Sequence, residues 1–237
     1  MIVTKKTKQI NLTESADGFV LLFDKGKSKT SFDVIREIRR KFGIKKVGHA
    51  GTLDPMATGL LIICVGKKTK EIFKFQDMEK TYTGTITLGA STPSMDAETE
   101  LINVRSINDV SIDKINKVKN SYIGEIEQVP PMFSAIKHKG KALYKYARKG
   151  VEVERQPRKV NINSFLIHQI ELPNVDFEIE CSKGTYIRVI ANDFGETLGC
   201  GGYLTKLRRT AIGPYKVEDA LTIEELNKIE IIDSEKI

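Results

Sequence analysis

Two stretches of the chain alternate apolar and polar side chains with the period of a half-buried strand. In residues 80–89, Tyr82, Gly84, Ile86 and Leu88 point one way and Thr81, Thr83, Thr85 and Thr87 the other. In residues 175–182, Val175, Phe177, Ile179 and Cys181 alternate with Asp176, Glu178 and Glu180. Continuous apolar runs at 18–23 and 60–65 read instead as strands buried on both faces. Helical spacing places Phe32, Ile35, Ile38 and Phe42 on one buried stripe. That helix starts at Thr30, in capping-box spacing with Asp33, and ends at Gly43. A second helix over 111–122 carries Ile112, Ile115, Val118 and Tyr122, and a short basic one over 141–149 carries Leu143, Tyr144 and Ala147. Another follows the turn at 182–185 with Ile187, Ile190, Ala191 and Phe194, and a last one begins in a second capping box at Thr222. Between them, 91–98 is an acidic loop. Because strands and helices mix without regular β-α-β alternation, the pattern predicts an α+β fold, a mixed, largely antiparallel sheet flanked by helices. Residues 1–17 read as a polar tail, and no repeat or linker divides 18–232, which is expected to be a single domain.

Composition narrows the class. With 237 residues, 40% hydrophobic and 29% charged, the chain can bury a substantial core. No apolar run approaches membrane-spanning length, and the first residues lack the apolar core of a secretory signal, so a cytoplasmic protein without a membrane partner is expected. Cys64, Cys181 and Cys200 form no C-x-x-C pair and read as reduced thiols. His49, His138 and His168 are scattered, which gives no metal set. Gly26-Lys27-Ser28 lacks the first glycine of a phosphate-binding loop, and Gly199 to Gly202 lacks the dinucleotide fingerprint, so no nucleotide cofactor is expected.

Charge changes the picture further. The net +7 is uneven: residues 137–159 hold nine basic side chains against Glu152 and Glu154, whereas from Lys216 onward three lysines face seven acids. Such a body suits a polyanionic partner, and equally a solvated lysine-rich surface.

The candidate chemistry lies in Gly48-His49-Ala50-Gly51-Thr52-Leu53-Asp54-Pro55-Met56-Ala57-Thr58-Gly59-Leu60-Leu61, which holds a single carboxylate. A residue before proline is pushed out of the helical region, so Asp54 belongs on a loop, one leading into a buried strand. Asp-Pro with nearby glycine is also ordinary turn chemistry, and spacing alone leaves both readings open. Beside this acid the chain offers tyrosines expected to be exposed, an arginine after a glycine turn and a basic surface.

This segment resembles the TruB-type tRNA pseudouridine synthases. So do Lys80-Thr81-Tyr82, Pro131-Met132-Phe133-Ser134-Ala135, Cys181-Ser182-Lys183-Gly184-Thr185-Tyr186-Ile187-Arg188 and Leu207-Arg208-Arg209, in the family's order and separations. The resemblance runs from about residue 18 to about residue 226 and implies a pseudouridine synthase-like fold, with an N-terminal part at about 33–181 and a C-terminal part at about 182–232. It implies an isomerase that converts uridine 55 in the T stem-loop of tRNA to pseudouridine, without a cofactor and with base flipping. Residue by residue, Asp54 matches the catalytic aspartate and Arg188 the arginine that pairs with it. Tyr82 matches the tyrosine that stacks on the target base, and Tyr186 a second pocket residue. His49 matches the histidine that fills the space left by the flipped nucleotide, Leu207 a pocket leucine and Lys25 a lysine near the site. The family commonly reads Asp-Lys-Pro where this chain has Asp24-Lys25-Gly26; many bacterial members continue into a PUA domain, and none is expected here. A monomer is expected. A non-catalytic RNA-binding or tRNA-folding factor is the alternative reading, and a phosphoryl-transfer enzyme using Gly26-Lys27-Ser28 a third.

Overall fold

The two continuous apolar runs are strands Val20–Lys25 and Thr58–Val65, paired antiparallel from Val20↔Cys64 to Lys25↔Gly59. Their alternate residues enter different clusters. Leu21, Phe23, Leu61, Ile63 and Val65 pack with Val34, Ile35, Ile38 and Phe42 of the Ser31–Phe42 helix. Val20, Leu22, Leu60, Ile62 and Cys64 face the other way, onto Phe75, Ile212 and Val217. Burial on both faces is why these runs lack polar alternation.

The computed structural model describes residues 1–232, which form two compact units, Met1–Tyr82 with the described residues from Leu207 onward, and Thr83–Lys206. Strands Lys80–Leu88 and Gly202–Ile212 each contribute residues to both units. In the first unit, Ile2–Val3 lies parallel to Val20–Lys25, and Gly202–Ile212 lies parallel to Thr58–Val65 with Arg208↔Thr58 and Arg209↔Gly59 in register. Val47–His49 pairs antiparallel with Thr58–Val65, placing His49 opposite Ile63.

Residues 1–17 are therefore not a tail. Val3 and Ile10 are buried, and Gln9–Asn11 pairs in parallel with Glu230–Ile232. The polar residues of this segment face solvent while two short strands supply one apolar residue each to the core. The Ser31–Phe42 helix starts in the expected capping box and ends at Gly43, in the left-handed region at φ 68°. Its stripe differs at one position: Phe32 is exposed, and Val34 takes its place.

In the second unit the strands run in the order Lys80–Leu88, Asn174–Cys181, Arg158–Glu171, Gly124–Gln128, the last two pairings antiparallel. Asn174–Cys181 buries alternate residues as its sequence predicts. Helix Ile187–Thr197 buries Ile187, Ile190, Ala191 and Phe194, and Phe165 packs against Phe177, Phe194 and Tyr122. Helix Ile112–Ser121 buries Ile115 but exposes Ile112 in its first turn, and the short basic helix spans Leu143–Ala147. The fold is α+β, with largely antiparallel strands flanked by helices.

Candidate active site

The Asp54 segment is a turn and an anchored loop at once. The Asp54 carbonyl accepts from Ala57 N at 3.1 Å, with Pro55 in the second position where its fixed φ suits the turn. On one side, the buried Ser31 hydroxyl accepts from Leu53 N at 2.9 Å and donates to Leu53 O at 3.2 Å. On the other, Pro55 O accepts from Ser28 N at 2.9 Å and from Lys25 Nζ at 3.4 Å. Lys25 is fully buried and also donates to Gly26 O at 3.1 Å and Lys29 O at 2.7 Å. An ammonium taken out of water is costly unless its donors are satisfied, and here backbone carbonyls satisfy them. Asp54, between these anchors, is half-buried.

Arg209 ties the two ends of the loop. Its buried guanidinium donates through Nε to Leu60 O at 2.7 Å and through Nη2 to Gly51 O at 3.2 Å. Gly59 allows this approach: it sits at φ 105°, and a Cβ there would lie 2.3 Å from Arg209 O. Arg208 makes a fork to Asp24 at 3.0 and 2.6 Å, with Nη1 also 3.4 Å from Thr58 Oγ1. In the sequence this arginine doublet stands out only within the Leu207-Arg208-Arg209 motif, with no role attached. The only local signal was its place in that motif, because its partners lie far away along the chain.

His49 is half-buried on its short strand. Burial, with the Arg209 charge second, lowers its pKa below the usual 6.5, and the Gly51 backbone partly opposes the shift. A neutral imidazole results at neutral pH, and its sheltered Nδ1 has no hydrogen-bond partner among the described residues. Tyr82, expected to be exposed, is 8% exposed, because the inward face of its strand carries it with Ile86 and Leu88. Leu207 is half-buried, and its carbonyl accepts from Thr58 Oγ1 at 3.5 Å.

The second unit holds Tyr186 and Arg188 together. Tyr186 precedes the first turn of helix Ile187–Thr197, where the buried Gln128 amide clamps its backbone, accepting from Tyr186 N at 3.0 Å and donating to Tyr186 O at 3.2 Å. Two guanidiniums flank its ring, Arg158 at 4.7 Å and Arg188 at 5.5 Å from the centroid. Arg188 is buried and donates to Ser94 O at 3.3 Å and to Phe133 O. The 91–98 segment, which reads as an acidic loop, carries a buried carboxylate: Asp96 accepts from Ser94 Oγ at 2.6 Å and Glu98 N at 3.0 Å. Neither Gln128 nor Asp96 was singled out from sequence, since burial of a polar residue leaves no local pattern.

The first unit thus presents a carboxylate on an anchored loop and, on the strand that leads into that loop, a neutral imidazole; the second presents a tyrosine ring with two guanidiniums near it. No helix among the described residues is long and apolar enough to cross a membrane. Residues 39–187 match the TruB family pseudouridylate synthase N-terminal domain, and residues 188–236 the tRNA pseudouridylate synthase B C-terminal domain. The chain is 50% identical over 215 residues to tRNA pseudouridine synthase B of Chloroherpeton thalassium, covering 89% of each protein. To the enzyme of the same name from Opitutus terrae it is 46% identical over 217 residues, covering 92% of this chain and 90% of that one. Among solved structures, a chain of a Cbf5–Nop10–Gar1 complex superimposes with a TM-score of 0.70 at 28% identity, covering 94% of this chain and 56% of that one. The chain therefore spans little more than half of that larger protein.

Proposed function

The chain belongs to the TruB family of pseudouridylate synthases, and we propose that it converts uridine 55 in the T-loop of tRNA to pseudouridine, with the Asp54 carboxylate acting on the flipped nucleotide. The observation that carries the reading is the anchoring of Asp54. A half-buried carboxylate on a turn held by Ser31, Lys25 and Arg209 is far better fixed than a surface Asp-Pro turn needs.

The reaction breaks the bond from ribose C1′ to N1, rotates the uracil and joins C1′ to C5, while the proton on C5 leaves and N1 gains one. Substrate and product are isomers, so the atom balance calls for no co-substrate. A base in a folded loop is reached by flipping, and its lost stacking is replaced by an aromatic side chain, the part assigned to Tyr82. Asp54 serves as the nucleophile or base that the first step requires. From the family match we carry over Arg188 as the cation supporting that carboxylate, Tyr186 and Leu207 as pocket residues and Lys25 as a lysine near the site. The neutral state of His49 suits a space-filling role beside the flipped nucleotide better than acid catalysis. We further place the protein in the cytoplasm, acting as a monomer; three buried cysteines suit a reducing compartment.

Purified protein incubated with an unmodified tRNA transcript, without metal or nucleotide, is expected to yield pseudouridine at position 55. Asp54→Asn is expected to abolish the product while tRNA binding persists. Pseudouridine formed by that variant would sink the assignment, and product at another position would overturn the site in the RNA.

A further inference from the structure

Phe32 is turned outward at 57% exposure. At about 100° per residue it lies about 100° from the centre of the face formed by Ser31, Val34, Ile35, Ile38 and Phe42, on the side that Arg36 and Arg39 share. Both guanidiniums lie over its ring, Arg36 at 5.8 Å and Arg39 at 5.9 Å from the centroid. Single exposed phenyl rings are common on protein surfaces, but one with two guanidiniums within 6 Å of its centroid is a particular chemistry.

The surroundings are strongly basic. Residues 29–46 hold seven basic side chains against Asp33 and Glu37. Those two acids are engaged, Asp33 with Arg36 and the Thr30 cap, Glu37 with Lys29 at 2.7 Å. Arg39 and Arg40 have no ion pair among the described residues. The stripe from Phe32 to Arg40 extends about 12 Å along the helix at 1.5 Å per residue. Its start is fixed beside the Asp54 loop, because Ser31, the residue before Phe32, holds Leu53, the residue before Asp54.

We propose that this stripe is a second RNA contact: a base of the substrate tRNA other than the target uridine stacks on Phe32, and neighbouring phosphates lie on Arg36, Arg39 and Arg40. The proposal rests on the reading of tRNA as substrate. An acidic peptide would meet the cations, but a flat ring among guanidiniums matches a polyanion that carries its own π-faces.

The test uses the full chain carrying Asp54→Asn, so that bound RNA is not turned over, and measures Kd for an unmodified tRNA transcript across a salt series. Adding Phe32→Ala is expected to weaken binding by about 5- to 150-fold, the range that loss of one stacked base brings. Phe32→Tyr keeps the ring and should bind as the parent does. Arg40→Gln should flatten the slope of log affinity against log salt by about 0.7 to 0.9. With Asp54 intact, Phe32→Ala should raise KM and keep kcat. Unchanged affinity in a Phe32→Ala variant that melts like the parent would overturn the proposal. So would altered self-association with unchanged RNA affinity, which would give the stripe to a protein contact. If the parent enzyme makes no pseudouridine yet Phe32→Ala weakens tRNA binding, the isomerase reading fails and the RNA stripe stands.

Discussion

Arg209 joins Gly51 and Leu60, residues on either side of Asp54, through one buried guanidinium. Arg209→Met would leave both carbonyls without that donor, at about 1–3 kcal/mol each. We expect a lower Tm in thermal melts and, in steady-state kinetics, a fall in kcat larger than the rise in KM, since the loop carrying Asp54 loosens. His49 gives a second prediction at this scale. Its folded pKa lies below 6.5, so folding favours the neutral ring. The stability tied to that neutral form is fully present above the unfolded value near 6.5 and is lost as pH falls below it, toward the folded pKa. Denaturant titrations over this window should show the acid-side loss in the parent and a smaller one in His49→Gln. An equal loss in both would assign the acid sensitivity to other groups.

Elements were legible where their determinants are close in sequence. Thr30 with Asp33, and Thr222 with Glu225, form both halves of their capping boxes, because each partner is three residues away. Asn174–Cys181 follows its alternation because one face is buried along its whole length. The N-terminal segment failed this reading, since Gln9–Asn11 is stabilised by Glu230–Ile232 at the far end of the chain, and strands this short show no periodicity. Ile10 decides between the readings. It is 1% exposed, and Ile10→Ala should cost about 2–5 kcal/mol, where in a solvated tail it would cost nothing. Chemical denaturation of the two proteins measures this directly. Phe32 and Ile112 escaped for a related reason: each lies in the first turn of its helix, where the buried face of the turns that follow does not extend.

For the whole molecule, the uneven charge implies that RNA affinity is electrostatic in large part. Each phosphate neutralised contributes about 0.7 to 0.9 to the negative slope of log affinity against log salt. The affinity of Asp54→Asn for tRNA should therefore fall steeply as salt rises, which filter binding or fluorescence anisotropy would follow. A flat dependence would remove charge as the basis of the grip. The sequence by itself determined the α+β class, the two central strands, the helix caps and the loop that carries Asp54, because these follow from neighbouring side chains and from ordered motifs. Only the tertiary structure decided that Lys25, Arg188 and Arg209 are buried against backbone carbonyls, that Tyr82 faces inward and Phe32 outward, and that the first residues complete a core. A charged side chain is buried or exposed according to the acceptors that distant segments bring to it, and no local pattern records them.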